Sequence, residues 1–431
     1  MRGSAVRGAP RTVGGRAVRP VLVAVIAVGI AIAGAGTAGA AESGAVGAAP
    51  EQVTPPGAIP VGCGTATKDL AAVVAAAPSG ATVKVCPGTY TGTITLTKPI
   101  TLLGARAGVD ARTGRTDLRA ESVVDGKGGS GFTVAGGVSN VRIDGFTISN
   151  ATQTKGASTG GVLAVNRGSG ITITNNVITR FSFGVNMNSN GQVASAVTRN
   201  RFAENNGEGG QAGVFLCCGT ANNLTISDNL FTGHDGDAAA AVNTAGDPAS
   251  WSTGLRIERN QSIDDATFAV VTNVDGLVVA HNQVVRRPTA TTGVGTGILV
   301  GGATKNVKVT GNVLTDGARN GISVTQDFSP VRNTGLTVNT NTVVNRLNGI
   351  RLVDQTSGTI SGNTVAQSTG TGILLEGAAN SGVTVTGNRS FQNAVSDCTD
   401  QSKGTGTAGT ANTWTGNLGV RSTPPGLCRL F

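Results

Sequence analysis

One short phrase returns along most of this chain: an apolar-x-apolar run, a turn carrying an asparagine, and another apolar residue. It reads ITITNNVI, LTISDNLF, LVVAHNQV, VKVTGNVL, LTVNTNTV and GTISGNTV. The asparagines are Asn176, Asn200, Asn229, Asn260, Asn282, Asn312, Asn341, Asn363 and Asn388, at gaps of 24, 29, 31, 22, 30, 29, 22 and 25 residues with a mean of 26.5. A period in the twenties whose units hold short strands and no helical stretch predicts an all-β solenoid, with one coil per unit stacked as a parallel β-helix. Between Cys63 and Asn393 there is room for about twelve coils, a stack about 55–60 Å long at roughly 4.8 Å per coil.

A second strand precedes each phrase, usually introduced by glycine: FGVNM (183–187), AGVFL (212–216), TGILV (296–300), NGISV (320–324), NGIRL (348–352) and TGILL (371–375). Alternation points Ile322, Val324, Ile350 and Leu352 inward and Ser323 and Arg351 outward. The recurring asparagine is expected at the turn itself, since Asn tolerates a left-handed backbone and stacked amides can bond to one another along the axis. Sixty-six glycines suit many tight turns, and aromatics at 3% leave the interior to Val, Ile, Leu and Ala.

The first forty residues read as an export signal: Arg2, Arg7, Arg11, Arg16 and Arg19, then the apolar run 21–33, then Ala38-Gly39-Ala40 as cleavage site. They carry five arginines and no acid, so their removal lowers the formal charge from +9 to +4 and takes away the main argument for nucleic acid binding. After cleavage no segment is expected to stay in a membrane, and the product is expected to be secreted and monomeric. Residues 41–62 read as a linker, 63–395 as the solenoid and 396–431 as a C-terminal tail. Within the solenoid, TKDLAAVVAAAP (67–78) predicts a short capping helix begun by Thr67 and stopped near Pro78.

All six cysteines follow the signal, and an even count in an exported chain points to disulfides. Cys63 with Cys86, and Cys398 with Cys428, bracket the two ends, where a solenoid must cover its exposed strand edge and apolar layer. For Cys217-Cys218 three states stay open: a vicinal bridge, two thiols, or bonds elsewhere.

The opening GATVKVCPGTYTGTITLTKPITLLGA and the following VVDGKGGSGFTVAGGVSNVRIDGFTISN resemble the first coils of the pectin-lyase-like β-helix proteins. The later coils are similar to the repeat shared by NosD-like copper-accessory proteins and by carbohydrate-binding and sugar-hydrolysing members, and the tail NTWTGNLGVRSTPPGLC resembles the ends of secreted actinobacterial β-helix proteins. The resemblance implies a single right-handed parallel β-helix. Catalytic signatures of these families are largely missing. The polygalacturonase segments have only misplaced counterparts at Gly233-His234-Asp235, Arg256-Ile257-Glu258 and Asn273-Val274-Asp275-Gly276, and one tyrosine and two histidines are too few for the alginate-active pattern. His281 occupies a turn position filled elsewhere by Gly311 and Gly362 and is expected to be an exposed turn residue. A copper role lacks clustered His and Met ligands.

One charged constellation stands out. Counted from the recurring asparagines, Glu204, His234, Asp235, Asp264, Asp265, Arg286 and Arg287 fall four to six residues on, so successive coils would stack them in one corner. Asp235, Asp264, Asp265 and Arg286 are the candidate catalytic residues. Arg287 and Trp251, beside Asp247, are candidates for substrate contact, and Asp237 with the same carboxylates could hold calcium. Such crowding is expected to raise a carboxylate pKa until a cation or substrate relieves it. Asp327, Asp354 and Glu376 form a second, weaker acidic group. Two functional classes remain: a secreted module that binds extracellular polysaccharide or serves a surface role without catalysis, and a lyase or hydrolase acting on a uronate-type glycan. A NosD-like accessory role ranks third.

Overall fold

A computed structural model describes residues 56–430 except 65–67, 116, 153–157, 207–211, 235–239, 246–249, 288–294, 327–328 and 330. The chain winds as a parallel β-helix whose coils each contribute to three long sheets. Sheet A has 14 strands, from Ile59–Val61 to Thr413–Thr415; sheet B has 12, from Gly88–Thr91 to Arg389–Phe391; sheet C has 13, from Ile94–Leu96 to Ser422–Thr423. A small sheet D adds Ser252–Thr253, Val274–Asp275 and Thr304–Lys305 between C and A. Every strand pairing is parallel and joins corresponding strands of neighbouring coils, which accounts for the expected number of coils.

Alternation decides what fills the interior. In sheet A the register stacks Ile173 on Val197, Ile226, Ile257, Val279 and Val309 in one buried column, one residue per coil. Ile322, Val324, Ile350 and Leu352 are fully buried as expected. Ser323 faces outward yet is also buried, because Arg351 of the next coil lies over it, with Nη1 3.4 Å from its Oγ.

The asparagines form a continuous ladder at the corner between sheets A and B. Each side-chain amide donates to the Oδ1 of the next rung, as Asn282 does to Asn312 (2.9 Å) and Asn312 to Asn341 (2.9 Å), and also to a strand carbonyl of the preceding coil. The backbone N–H of each rung donates to that same Oδ1 of the next. All the amides point the same way along the axis. The left-handed residue, however, is the one before the asparagine: Asn175, Arg199, Asp228, Arg259, His281, Gly311 and Thr340 all have φ between 52 and 63°. The expectation that the ladder asparagine adopts that conformation is therefore corrected. Its side chain turns into the corner, while the left-handed residue projects outward and accepts many side-chain types. At Gly311 a Cβ would stand 2.6 Å from the ring of His281, which is exposed as expected and would have to move aside.

From the Asp144 coil onward this corner is built to a fixed length, whereas one coil earlier residues 104–121 join Leu103 to Ser122. From Asp144 to Thr147, and again from Thr174 to Val177 through Thr386 to Arg389, two residues join sheet A to sheet B. Variation in the period is carried by the connections that enter and leave sheet C.

The ends differ from the sequence expectation in three ways. Ile59–Val61, expected in the linker, is the edge strand of sheet A and pairs with Val83–Val85; an edge strand tolerates Pro60, which has no N–H to donate. The capping helix is Leu70–Ala76, and its N-cap is Asp69, whose carboxylate accepts from the Ala72 N–H at 2.9 Å; Thr67 lies outside the described residues. At the other end the segment expected as a tail carries strands Ser396–Asp400, Thr413–Thr415 and Ser422–Thr423 and a tenth rung, Asn417, which accepts from Asn388. Cys63 is bonded to Cys86, Cys398 to Cys428, and Cys217 to its neighbour Cys218. The segment expected to be an export signal lies outside the described residues, and among the described residues no helix is long and apolar enough to cross a membrane.

Candidate functional site

The charged corner divides in two. Asp264 takes the left-handed position (φ 60°), so its side chain stays outside, where Oδ2 accepts from Arg287 Nε at 2.7 Å and Oδ1 from the Arg287 N–H at 2.8 Å. Partial burial works against this carboxylate, but the hydrogen bonds and charge of Arg287 outweigh it and hold its pKa below the ordinary value. At Asp264 the expected rise is not found: the nearest charge is a cation on the next coil.

The left-handed residue reverses the facing of the one that follows. Asp265 points inward, nearly fully buried, where its Oδ1 accepts from the His234 N–H (2.9 Å) and lies 2.7 Å from His234 Nδ1, and its Oδ2 accepts from Ser262 Oγ (2.6 Å). Asn205, one coil below His234, donates to Ile178 O and stands 3.3 Å from His234 Nε2. With the Asn205 oxygen taken by the Phe181 N–H, this network makes Nδ1 the protonated nitrogen, donating to Asp265. Arg286 is buried too and donates to the Asp265 carbonyl at 2.8 Å. Asn205, His234 and Asp265 therefore form a second polar column inside the solenoid, satisfied within itself.

Asp264 and Asp265 thus engage different partners on opposite sides of the backbone and do not converge on one cation or one substrate bond. Glu204 is exposed at the corresponding left-handed position two coils earlier. Asp235, Asp237, Asp247 and Asp327 lie outside the described residues. In the second acidic group Glu376 is bound by Arg351 (Nε to Oε2 2.6 Å), which keeps its pKa low, while Asp354 occupies a left-handed turn. Trp251 is half-buried beside sheet D, with the Lys305 ammonium 4.2 Å from the centre of its ring.

The outer face of sheet C presents a long uncharged surface. Its outward column runs Leu163, Asn186, Phe215, Asn243, Val270 and Leu299, one residue per coil, all half-buried. Phe183 stacks on Phe215 with ring centroids 4.9 Å apart and planes 10° from parallel. The Cys217–Cys218 disulfide adjoins this stack, with the Cys217 sulfur 3.4 Å from Asn186 Oδ1 and the Cys218 carbonyl accepting from Asn188. Among the described residues the Asn243 amide has no hydrogen-bond partner. The nine successive strands from Ile94–Leu96 to Ile322–Val324 contain no Asp, Glu, Lys, Arg or His. Sheet A, by contrast, presents Arg142, Arg256 and Lys308. Sequence reasoning passed over this face, although the alternation that places Arg351 outward places Asn186 in FGVNM and Phe215 in AGVFL outward as well.

Comparison with known proteins bears on the fold. Residues 92–261 match a family described as right handed beta helix region, and residues 243–420 match one described as periplasmic copper-binding protein (NosD). No curated protein sequence matches the chain. The periplasmic alginate epimerase AlgG aligns over 79% of this chain and 84% of its own at 12% identity, with a TM-score of 0.50. A PL6 alginate lyase in complex with a trisaccharide aligns over 86% and 87% at 13% identity, with a TM-score of 0.52. The residues do not fit copper. The stretch 243–420 has His281 as its one histidine and no methionine, and no three His, Cys, Asp or Glu side chains converge among the described residues. The two family matches overlap and together run from residue 92 to residue 420 of a parallel solenoid with an asparagine ladder, and the chain has the fold of a right-handed parallel β-helix, similar in sequence to those two families.

Proposed function

We propose that this protein works outside the cytoplasm as a glycan-binding β-helix, holding extracellular polysaccharide against the outer face of sheet C. The observation that carries this reading is the Phe183–Phe215 stack, set in a long uncharged face with Leu163, Val270 and Leu299 and with the amides of Asn186 and Asn243. Carbohydrate surfaces offer both apolar C–H faces and hydroxyls, so a binding face needs apolar and aromatic area with a few amides, and little else. Three disulfides and the export signal suit an oxidising, extracytoplasmic setting. The alginate epimerase and the alginate lyase that share the fold act on polysaccharide, which supports a glycan as the partner.

Binding without bond cleavage is the reading proposed: glycoside hydrolysis needs a carboxylate pair at the scissile bond, and the nine strands of this face themselves carry no carboxylate. The test is affinity electrophoresis of the mature protein through gels containing soluble polysaccharides. Retardation by at least one glycan, relieved by Phe215→Ala, is expected. Equal mobility in every gel, or retardation that Phe215→Ala leaves unchanged, would overturn the reading.

A further inference from the structure

The chemistry of the sheet C face also selects among glycans. Over nine coils, about 38 Å at roughly 4.8 Å per step, the strands offer hydroxyl, amide, aliphatic and aromatic groups and the Cys217–Cys218 disulfide, and no charged side chain. A polyuronate carries a carboxylate on every sugar. Laid on this face, those carboxylates would lose water without gaining a cation, and an unpaired desolvated charge costs more than an apolar contact returns. The first charged side chains on the face are Arg351 and Glu376, joined to each other in neighbouring strands at 2.6 Å, so the pair presents no net charge.

We infer that the ligand of the sheet C face is an uncharged glycan chain, seated on Leu163, Phe215 and Leu299, with buried Phe183 supporting the Phe215 ring, and with its hydroxyls read by Asn186 and Asn243. The inference rests on the glycan-binding reading above and departs from the alginate on which the fold's named neighbours act. Cations do stand near the face: Arg167 and Arg180 are exposed at the corners beyond the ends of strands Gly160–Ala164 and Val177–Thr179. They provide the control.

The experiment titrates the full mature protein at low ionic strength with neutral glycans (a mixed-linkage β-glucan, a galactomannan, an α-glucan) and with two polyuronates (alginate, polygalacturonate), following heat or electrophoretic mobility. At least one neutral glycan is expected to bind, with affinity reduced tenfold or more by Phe215→Ala, while the polyuronates are expected not to bind. Asn243→Ala, which removes a side chain without internal partners, is expected to weaken neutral binding several-fold and serves if Phe215→Ala fails to fold. Polyuronate binding weakened by either substitution would overturn the uncharged-ligand inference and leave the glycan-binding reading standing. Polyuronate binding that is lost on Arg167→Ala with Arg180→Ala, but not on Phe215→Ala, would overturn the inference and move the site to the corners. Absence of binding to every glycan would overturn both.

Discussion

Replacing an inner ladder residue, Asn312, by leucine isolates what the stacked amides contribute, because the two side chains are close in size and no cavity is made. The Asn312 side chain takes part in four hydrogen bonds: its Nδ2 donates to Val279 O and Asn341 Oδ1, and its Oδ1 accepts from the backbone and the side chain of Asn282, all between 2.9 and 3.0 Å. Three of the partners keep something or lose a single bond. The Asn282 amide still donates to Ile257 O, Asn341 Oδ1 still accepts from the Asn312 N–H, and the Val279 carbonyl loses one donor. The Asn282 N–H loses its acceptor in a fully buried corner, at about 1–3 kcal/mol, and the other lost bonds add roughly 0.5–1.5 kcal/mol each, so about 3–5 kcal/mol in all is expected once non-additivity is allowed. The first rung, Asn176, makes one bond fewer, since the coil below presents Phe146 and only its N–H reaches the amide oxygen. Asn176→Leu is expected to cost about 1 kcal/mol less. Urea unfolding followed by far-ultraviolet circular dichroism gives the comparison, provided the dependence on urea is the same for every variant. If Asn312→Leu and Asn260→Leu both lie within about 0.5 kcal/mol of the parent, the stacked-amide account is wrong.

Asp264 and Asp265, adjacent in sequence, are expected to behave oppositely: Asp265→Ala strands His234 and Ser262 inside the corner and should cost about 3–5 kcal/mol, whereas Asp264→Ala should shift the urea midpoint only slightly. Because the folded chain holds the Asp264 pKa low, its contribution is present above the unfolded carboxylate value of about 3.9 and is lost as pH falls through the folded value. The gap in stability between the parent and Asp264→Asn should therefore be constant from neutral pH to about pH 5 and shrink below about pH 4; a gap that widens on acidification contradicts the ion pair. Thr340 is a β-branched residue held at φ 53°, so Thr340→Asn should stabilise by about 1 kcal/mol, measured by the same unfolding curves. The Cys63–Cys86 bridge closes 23 residues, and replacing both cysteines by alanine should cost about 3 kcal/mol, with protection from hydrogen exchange lost first around strand Ile59–Val61.

The repeat was legible because a buried polar corner has to be satisfied in each coil by the same chemistry, so the same residue recurs at Asn176, Asn200, Asn229 and onward. The left-handed residue before it was not, because its side chain is outside and Arg199, Asp228, His281 and Thr340 all serve. Asn417 was legible but was passed over: it follows Asn388 by 29 residues, within the range of the other gaps, and Trp414 stands where the other coils place Val or Ile. At the candidate site the charges drew attention to the corner. Counting residues could not show that the left-handed turn at Asp264 sends Asp265 inward, and the binding face went unnoticed because nothing on it is charged.

The two-residue corner between sheets A and B has a consequence for how such a chain can change. Once the ladder has begun, an insertion there would break a rung, so along the ladder coils new sequence is admissible where a coil approaches or leaves sheet C, whereas before the first rung the same corner holds the connection 104–121. Additions along the ladder would therefore accumulate beside one wall of the solenoid, and that wall could acquire new specificity while the ladder corner stayed fixed. A grafted peptide placed between Thr179 and Phe183 should be tolerated, and the same peptide placed between Thr174 and Val177 should not.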